Sequence, residues 1–426
     1  MFSGNTDHPV VVLKSVAHGG LAIVRSLGRL GVQAYTVEAD AWTPAFYSRY
    51  NRGSVRLDVE SASSNEVLAA LEALAQKLGT RAVLVPSTDY AAIFIAEHAA
   101  SLRGNFLFPQ QSPELLRKLY SKREMHYLAR AHGIPTAETA FPANRQQVVD
   151  FADSAKFPVV LKAIDGTRLN ARCGKKMFIV QNREELLRIY DAVEEPDNPN
   201  LMLQEYIPGP DDSIWMFDGY FNQHSQCLAA FTGKKLRQCP AFSGYTCLGV
   251  CQDNEVVRTT AIRFLQALNY AGLVDIDFRL DVRDGKYKML DVNPRLGATF
   301  SLFTASNGLD LARIYYLDMT GQRVPASTLR EGRKWIVGDL DLTSSLRYYK
   351  RGQLTLRSWL ASLKGIESSA YFALDDPLPM LARAAADSLE AARRISRRLP
   401  SLRRKASQSR AQSMNTVPET RKAEAA

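Results

Sequence analysis

Apolar and polar positions over the first hundred residues switch repeatedly between two periods. "VVVLK" at 10–14 is a short β-branched run, the length of a buried strand. "GGLAIVRSLGRLG" follows with apolar positions at helical spacing and a closing glycine. "QAYTVEAD" reads as a second strand. "SSNEVLAALEALAQKLG" sets Val67, Leu68, Leu71, Leu74, Ala75 and Leu78 on one helical face. Ser63 and Glu66 form a capping box ahead of it, and Gly79 closes it. "AVLVPSTD" is a third strand. Strands alternating with helices predict a parallel sheet over 10–110, with ligands beyond the C-terminal strand ends, near His18-Gly19-Gly20 and Ser87-Thr88-Asp89. The G-x-G-x-x-G spacing of a dinucleotide site is absent. The helix start could hold an anion, or the glycines could serve the tight turn alone.

A second unit begins at "SPELLRKLYSKREMHYLARAHGIP", one expected helix capped by Ser112, with Pro113 at its first position and Gly133 and Pro135 ending it. "FPVVLKAIDG" is a strand. A polar loop between Gly166 and Gly174 leads to its hairpin partner "KKMFIV". "NREELLRIYDAV" is a helix and "LMLQEYIPGPDD" a strand running into a turn. "NEVVRTTAIRFLQALNYAG" is a helix capped by Asn254. "LVDIDFRLDVRDGKYKMLDVNPR" is a hairpin turning at Asp284-Gly285. Residues 326–380 read as helices and turns, and no internal repeat is present.

Composition adds bounds. At 426 residues the chain exceeds one core, so two or three domains are expected. The net charge is +10, but residues 381–426 carry eleven Lys or Arg against four Asp or Glu. The basic character therefore belongs to an Arg- and Ser-rich tail, expected to be disordered and solvated, with weak contact to nucleic acid or an anionic membrane as the alternative. Five cysteines (Cys173, Cys227, Cys239, Cys247, Cys251) include four between 227 and 251, but no CxxC pair, and His224 is the one histidine nearby. Reduced free thiols are expected rather than zinc ligands. No secretory signal pattern opens the chain and no apolar run is of bilayer-spanning length, so a cytoplasmic location is expected.

The hairpin carries the chemistry. Asp275 and Asp277 share one face of its first strand, and Asp291 and Asn293 one face at the end of the second. Counted from the turn, Asp277 and Asp291 are near-neighbours across the ladder. Paired carboxylates repel unless a cation lies between them, and two carboxylates with an amide oxygen suit Mg²⁺ carrying a polyphosphate. Lys122 and Lys162 are cations that could reach phosphates, and Lys175 and Lys176 follow the glycine-bounded loop. No Walker pattern occurs. Singly, each residue has a plainer reading: Asp291 and Asn293 as turn caps, Lys162 as a strand-end lysine, Glu205 as a surface acid, Asp277 as the polar half of an edge strand.

Taken in order, Lys122 in "YSKREMHYLARAHGIPT", Lys162 in "FPVVLK", "LQEYIPG", Asp277 in "VDIDFRLD" and "LDVNPR" resemble the ATP-grasp superfamily over roughly 10–325. Within it the chain is most similar to carboxylate–amine ligases of the D-aspartate ligase type. The resemblance implies an α/β and α+β fold: an N-terminal Rossmann-like parallel domain, 1–111, and a two-lobed ATP-grasp domain, 112–325, with antiparallel sheets and a flap lobe over about 135–205. A mixed segment, 326–385, and the basic tail, 386–426, would follow. It implies that Lys122, Lys162 and Lys176 bind ATP phosphates. Glu205 with the backbone of Tyr206 and Ile207 would hold adenine, and Asp211 or Asp212 the ribose. Asp277, Asp291 and Asn293 would hold Mg²⁺ or Mn²⁺, and Arg295 would lie on the transferred phosphoryl group. Lys235 or Arg237 in "GKKLRQ" would anchor a substrate carboxylate or phosphate, a charged strand or turn being the plainer reading. Two features depart from D-alanine–D-alanine ligases. Asp275 stands where those enzymes place arginine, and the flap reads "GTRLNARCGKK" in place of a Ser/Gly run.

The expected activity is ATP- and Mg-dependent joining of a small-molecule carboxylate to an amine through an acyl phosphate. The alternative is an ATP-binding sensor of the same fold without turnover.

Overall fold

The computed structural model describes residues 4–389 apart from 16, 165, 176 and 243. Strands β1 (Val10–Leu13), β2 (Ala34–Val37), β3 (Asn51–Val55), β4 (Ala82–Pro86) and β5 (Phe106–Leu107) form an all-parallel sheet in the order β3-β2-β1-β4-β5. β1 is buried at all four positions because helices cover both faces, which is why its sequence shows no alternation. Helix α1 (Ala17–Gly28) links β1 to β2, and α2 (Ser64–Leu78) links β3 to β4. The Ser63–Glu66 capping box forms, and Gly79 ends α2 at φ +66°. α3 (Asp89–Glu97) and α4 (Ala99–Leu102) lead to β5.

The helix expected over 113–131 is two, α5 (Pro113–Tyr120) and α6 (Lys122–Ala131). Ser121 between them is extended (φ −73°, ψ 117°), and its hydroxyl accepts from the Glu124 N–H. It ends one helix and caps the next, a role serine competes for against helix interiors. Lys122 thereby becomes the first residue of α6.

Next comes a four-stranded antiparallel sheet, β6-β9-β7-β8, from β6 (Thr139–Ala140), β7 (Val159–Ala163), β8 (Met177–Val180) and β9 (Leu201–Glu205), with α7 (Arg145–Ser154), α8 (Gly166–Cys173) and α9 (Arg183–Val193) between strands. The polar loop expected from Gly166 to Gly174 is the helix α8. Leu169 anchors it inward, Arg168 pairs with Glu195 at 2.5 Å, and Arg172 donates to the Glu194 carbonyl. Gly174, at φ +68°, ends it.

The largest sheet has seven strands, β14-β13-β10-β11-β12-β15-β16. Its members are β10 (Ile214–Phe221), β11 (Cys227–Cys239), β12 (Tyr245–Cys251), β13 (Gly272–Asp281), β14 (Lys286–Asn293), β15 (Lys334–Ile336) and β16 (Ile366–Ser369). α10 (Glu255–Ala267), capped by Asn254, precedes β13, and α11 (Leu311–Met319) follows β14. α12 (Gly338–Lys350) and α13 (Leu356–Leu363) lie between β15 and β16. Residues after 326 thus add two strands where helices and turns were expected. "KWI" and "IESS" are too short to display a period.

Packing decides what can move against what. Val10, Leu21 and Val83 of the parallel unit share one core with Met216, Phe231 and Phe303. The lobe carrying β6–β9 packs on a core drawn from residues 148–203 alone, around Val159, Leu186 and Leu203. It meets β14 through polar contacts, among them the Met289 N–H to the Pro135 carbonyl at 2.8 Å. Among the described residues no helix is long and apolar enough to cross a membrane.

Candidate functional site

The β13–β14 hairpin turns where the sequence places it. Gly285, at φ +71°, donates to the Asp281 carbonyl. Asp281 then pairs with Lys286, and the ladder runs regularly to Phe278–Met289. There Leu290 is an extra residue. Beyond it Asp277 faces Asp291, and Asp275 faces Asn293. All four therefore share one face of the ribbon.

Cations surround this pair. The Lys235 ammonium on β11 donates to Asp277 Oδ2 at 2.5 Å. Lys122, at the start of α6, lies 3.9 Å from Asp291 Oδ2. Lys162, on β7 of the smaller lobe, feels both Lys122 and Asp291. Burial, then the Lys122 charge, push its pKa down to about 8 against the pull of Asp291. Burial raises the Asp277 pKa; Lys235 opposes this, while Asp275 and Asp291 add to it. Asn293 donates through Nδ2 to the Asp275 carbonyl at 3.4 Å, which leaves Oδ1 as its atom available to a cation.

Arg295, two residues past β14, is held by acids from two parts of the chain. It donates to Asp275 Oδ2 at 2.8 Å and lies 3.9 Å from Asp89 Oδ1, at the start of α3. Burial works against its charge, but Asp275 and Asp89 outweigh it and raise its pKa. Burial, countered by Arg295, pushes the Asp89 carboxyl up to about 6. The strand ends of the parallel sheet therefore do reach this site. Gly19 also abuts it: a Cβ there would lie 3.3 Å from the Ala298 Cα.

Asp218 belongs to this cluster and was not singled out in the sequence. It faces Asp275 from β10, is fully buried, and its carboxylate oxygens accept no hydrogen bond among the described residues. Burial, then Asp275, raise its pKa well above the carboxylate range. Gly297 crosses directly over the pair, and a Cβ there would lie 2.8 Å from an oxygen of each. The available signal was a single acid inside the apolar strand "IWMFDGYF".

Several expected residues sit elsewhere. The Arg237 guanidinium is engaged within the protein: it is buried, forked onto Asp341 of α12 at 2.7 and 3.1 Å, and bonded to Ser362 of α13. β11 is bulged on both sides of Arg237, so counting along "GKKLRQ" misplaces it. The Glu205 carboxylate is also taken. It accepts from Lys288 and Arg283 at 2.7 Å each and from the Glu138 N–H at 3.0 Å, tying β9 to the hairpin. Tyr206 and Ile207 follow β9, with Ile207 buried. Asp211 and Asp212 open a 3₁₀ turn, Asp211–Ser213, with Asp212 exposed. Lys176, the side chain of Asp211 and the tail from 390 onward lie outside the described residues.

Among the described residues no three or more His, Cys, Asp or Glu side chains converge as a metal cage. With Asp275 engaged by Arg295, that face of the ribbon still offers the carboxylates of Asp277 and Asp291 and the Asn293 amide oxygen, a set that could suit Mg²⁺ with phosphate and water completing its sphere.

Residues 120–213 match the model of the RimK-like ATP-grasp domain, and residues 248–322 match the ATP-binding domain of the carbamoyl-phosphate synthase L chain. D-aspartate ligase of Enterococcus faecium (strain Aus0004) is 28% identical over 243 residues, 54% of this chain and 57% of that protein. The C-terminal section of the carbamoyl phosphate synthase large chain of Methanocaldococcus jannaschii is 22% identical, over 71% of this chain and 47% of that one. The chain spans about half the length of these curated relatives. Among solved structures, N5-carboxyaminoimidazole synthetase from Staphylococcus aureus complexed with ADP superposes with a TM-score of 0.60 at 10% identity, over 78% of this chain and 82% of that one. The biotin carboxylase–β,γ-ATP complex from Campylobacter jejuni superposes at 0.58 and 18% identity, over 76% and 75%.

Proposed function

We propose, for this chain of ATP-grasp fold, an ATP- and Mg²⁺-dependent ligase activity that joins a carboxylate to an amine. The observation that most supports it is the Asp277–Asp291 pair, facing across one ladder with Lys122, Lys162 and Lys235 around it. Opposed carboxylates in a partly buried site call for a divalent cation, and cations beyond them call for phosphate. Asp277, Asp291 and Asn293 would hold Mg²⁺, and Mn²⁺ suits the same oxygens. Bound there, the ion would draw charge from the phosphate oxygens.

Lys122 and Lys162 would hold the phosphates of ATP, joined by Lys176. The backbone of Tyr206 and Ile207 would take the adenine edge, and Asp211 or Asp212 the ribose. Arg295, steered by Asp275 and Asp89, would lie on the γ-phosphoryl group. A substrate carboxylate oxygen attacks the γ-phosphorus in line. The bond to the bridging oxygen breaks, ADP departs, and an acyl phosphate remains. Lys162 and Arg295 offset the charge that accumulates on the equatorial oxygens. An amine then attacks the acyl carbon, loses a proton and expels phosphate. The lobe over about 135–205, on its own core, is the part free to cover the site and exclude water. We take 1–111, 112–325, 326–385 and 386–426 as the units of this arrangement.

The test is ADP release with Mg-ATP against a panel of amino acids and amines, with mass analysis of the product. A condensed product formed only when acid and amine are both present supports ligation. Nucleotide binding without ADP release across the panel would favour the sensor.

A further inference from the structure

α13, "LRSWLASL", is an apolar helix that, among the described residues, half-buries Trp359 and Leu363 and leaves its remaining leucines exposed. Leu356, Trp359, Leu360 and Leu363 fall at i, i+3, i+4 and i+7, the spacing of one buried face. Yet no residue of α13 is buried. Leu356 is 63% exposed and Leu360 56%. Polar contacts hold its inner side. Trp359 donates to Asp341 of α12 at 3.1 Å, and the Ser362 hydroxyl accepts one bond from Arg237 Nη1 at 2.7 Å. α12 repeats the pattern. Leu342, Leu346 and Tyr349, at i, i+4 and i+7, are 53%, 56% and 62% exposed. Among the described residues two successive helices thus carry exposed apolar side chains at helical spacing, more than the scattered single exposures of an ordinary surface.

The exposed charge along the stripes is mainly basic, with Asp339 at one end and Glu367 at the other. From Leu342 to Ile366 the chain holds Arg347, Lys350, Arg351, Arg357 and Lys364 and no Asp or Glu. The chain continues past the last described residue with 390–426, which carries ten Lys or Arg against three Asp or Glu. A second copy docking by two-fold symmetry would set this basic face against itself, which repels. Leucines ringed by lysine and arginine, with one tryptophan, instead match a surface of anionic headgroups above acyl chains. The apolar side chains enter the boundary while the long basic ones reach back to the phosphates.

We infer that the α12–α13 face docks the protein on anionic phospholipid membranes, with Leu356 and Leu360 entering the lipid and the basic residues binding headgroups. This face is separate from the proposed nucleotide site, and the inference does not depend on that reading. Two weak signals together, apolar insertion and basic attraction, are what reversible attachment needs.

The test is co-sedimentation of the full-length protein with phosphatidylcholine vesicles and with vesicles of phosphatidylcholine and phosphatidylglycerol. The expected result is sedimentation with the anionic vesicles only, weakened as salt rises. The L356E/L360E variant, altered at exposed positions, should lose about tenfold or more in bound fraction. Its melting temperature and ADP release in solution should be unchanged. R357Q/K364Q should lose binding less steeply and shed part of the salt dependence. Failure of the wild-type chain to sediment at low salt, or undiminished binding by L356E/L360E, would overturn the inference. So would light scattering that shows a wild-type dimer dissociated by that variant, which would assign the face to a second copy.

Discussion

Asp277 and Asp291 face one another across the β13–β14 ladder because Leu290 is one residue too many. With the turn closed at Asp281–Lys286, an unbroken register would put Leu290 opposite Asp277 and turn Asp291 to the opposite face. The bulge shifts Asp291 and Asn293 together onto the face of Asp277 and Asp275. A regular hairpin of the same sequence would divide these four side chains between two faces.

Opposed like charges weaken the fold that holds them. Asp291→Asn should therefore leave stability without ligand unchanged or raise it by roughly 0.2–1 kcal/mol. The same change should remove the stabilisation that Mg-ADP gives the parent. Thermal melts with and without Mg-ADP read both effects. A variant still stabilised by Mg-ADP as fully as the parent would count against the metal assignment.

Arg237 separates a structural from a catalytic role. Its pair with Asp341 is buried on both sides, so Arg237→Met leaves a buried carboxylate without its countercharge, held only by neutral donors such as Trp359, and should cost about 3–5 kcal/mol in denaturant unfolding. The folded fraction should keep the parent's KM for both substrates. A raised KM at unchanged stability would restore Arg237 as a substrate anchor.

Gly297 should tolerate nothing larger. In Gly297→Ala the new methyl group would press on Asp218 and Asp275, and Arg295 on the other side of Asp275 would shift with them. Destabilisation of about 1–3 kcal/mol is expected, with a fall in kcat exceeding any change in the affinity for ADP. Equal kcat in the two proteins would show that the passage is loose.

Acid sensitivity should include a contribution from His18. It sits in the parallel unit against Trp335 (5.4 Å between ring centres) and Tyr371, and burial pushes its pKa down to about 4. Its folded pKa lies below the ordinary value of about 6.5, so the unfolded chain binds the extra proton first. The stability it contributes is complete above pH 6.5 and is lost as pH falls from there through 4, up to about 3 kcal/mol. Subtracting the pH–stability profile of His18→Gln from that of the parent should isolate this slope. A flat difference between pH 4 and 6.5 would show that His18 is solvated.

The parallel unit was legible in the sequence because β-branched runs and capped helices state their own geometry, as at Ser63, Glu66 and Gly79. The hairpin was legible through Asp284-Gly285, and with it the approach of Asp277 to Asp291. What stayed hidden depends on contacts between distant segments. Arg237 looked like an anchor because nothing near it in sequence reveals Asp341, and Glu205 because Lys288 and Arg283 lie some eighty positions on. Ser121 could end a helix or sit within one, and only the caps on both sides decide it. Asp218 has no spacing signal, since its partners Asp275 and Gly297 come from other elements.

The central claim is that oxygens from both arms of the hairpin bind a divalent ion carrying a nucleotide. Titrating Mn²⁺ with ADP into the parent and into Asp291→Asn, followed by the Mn²⁺ paramagnetic resonance signal, tests it most directly. The parent should bind about one Mn²⁺ per chain with ADP present, and the variant should lose affinity by tenfold or more, of order 1.4 kcal/mol. Equal Mn²⁺ affinity in the two proteins would contradict it.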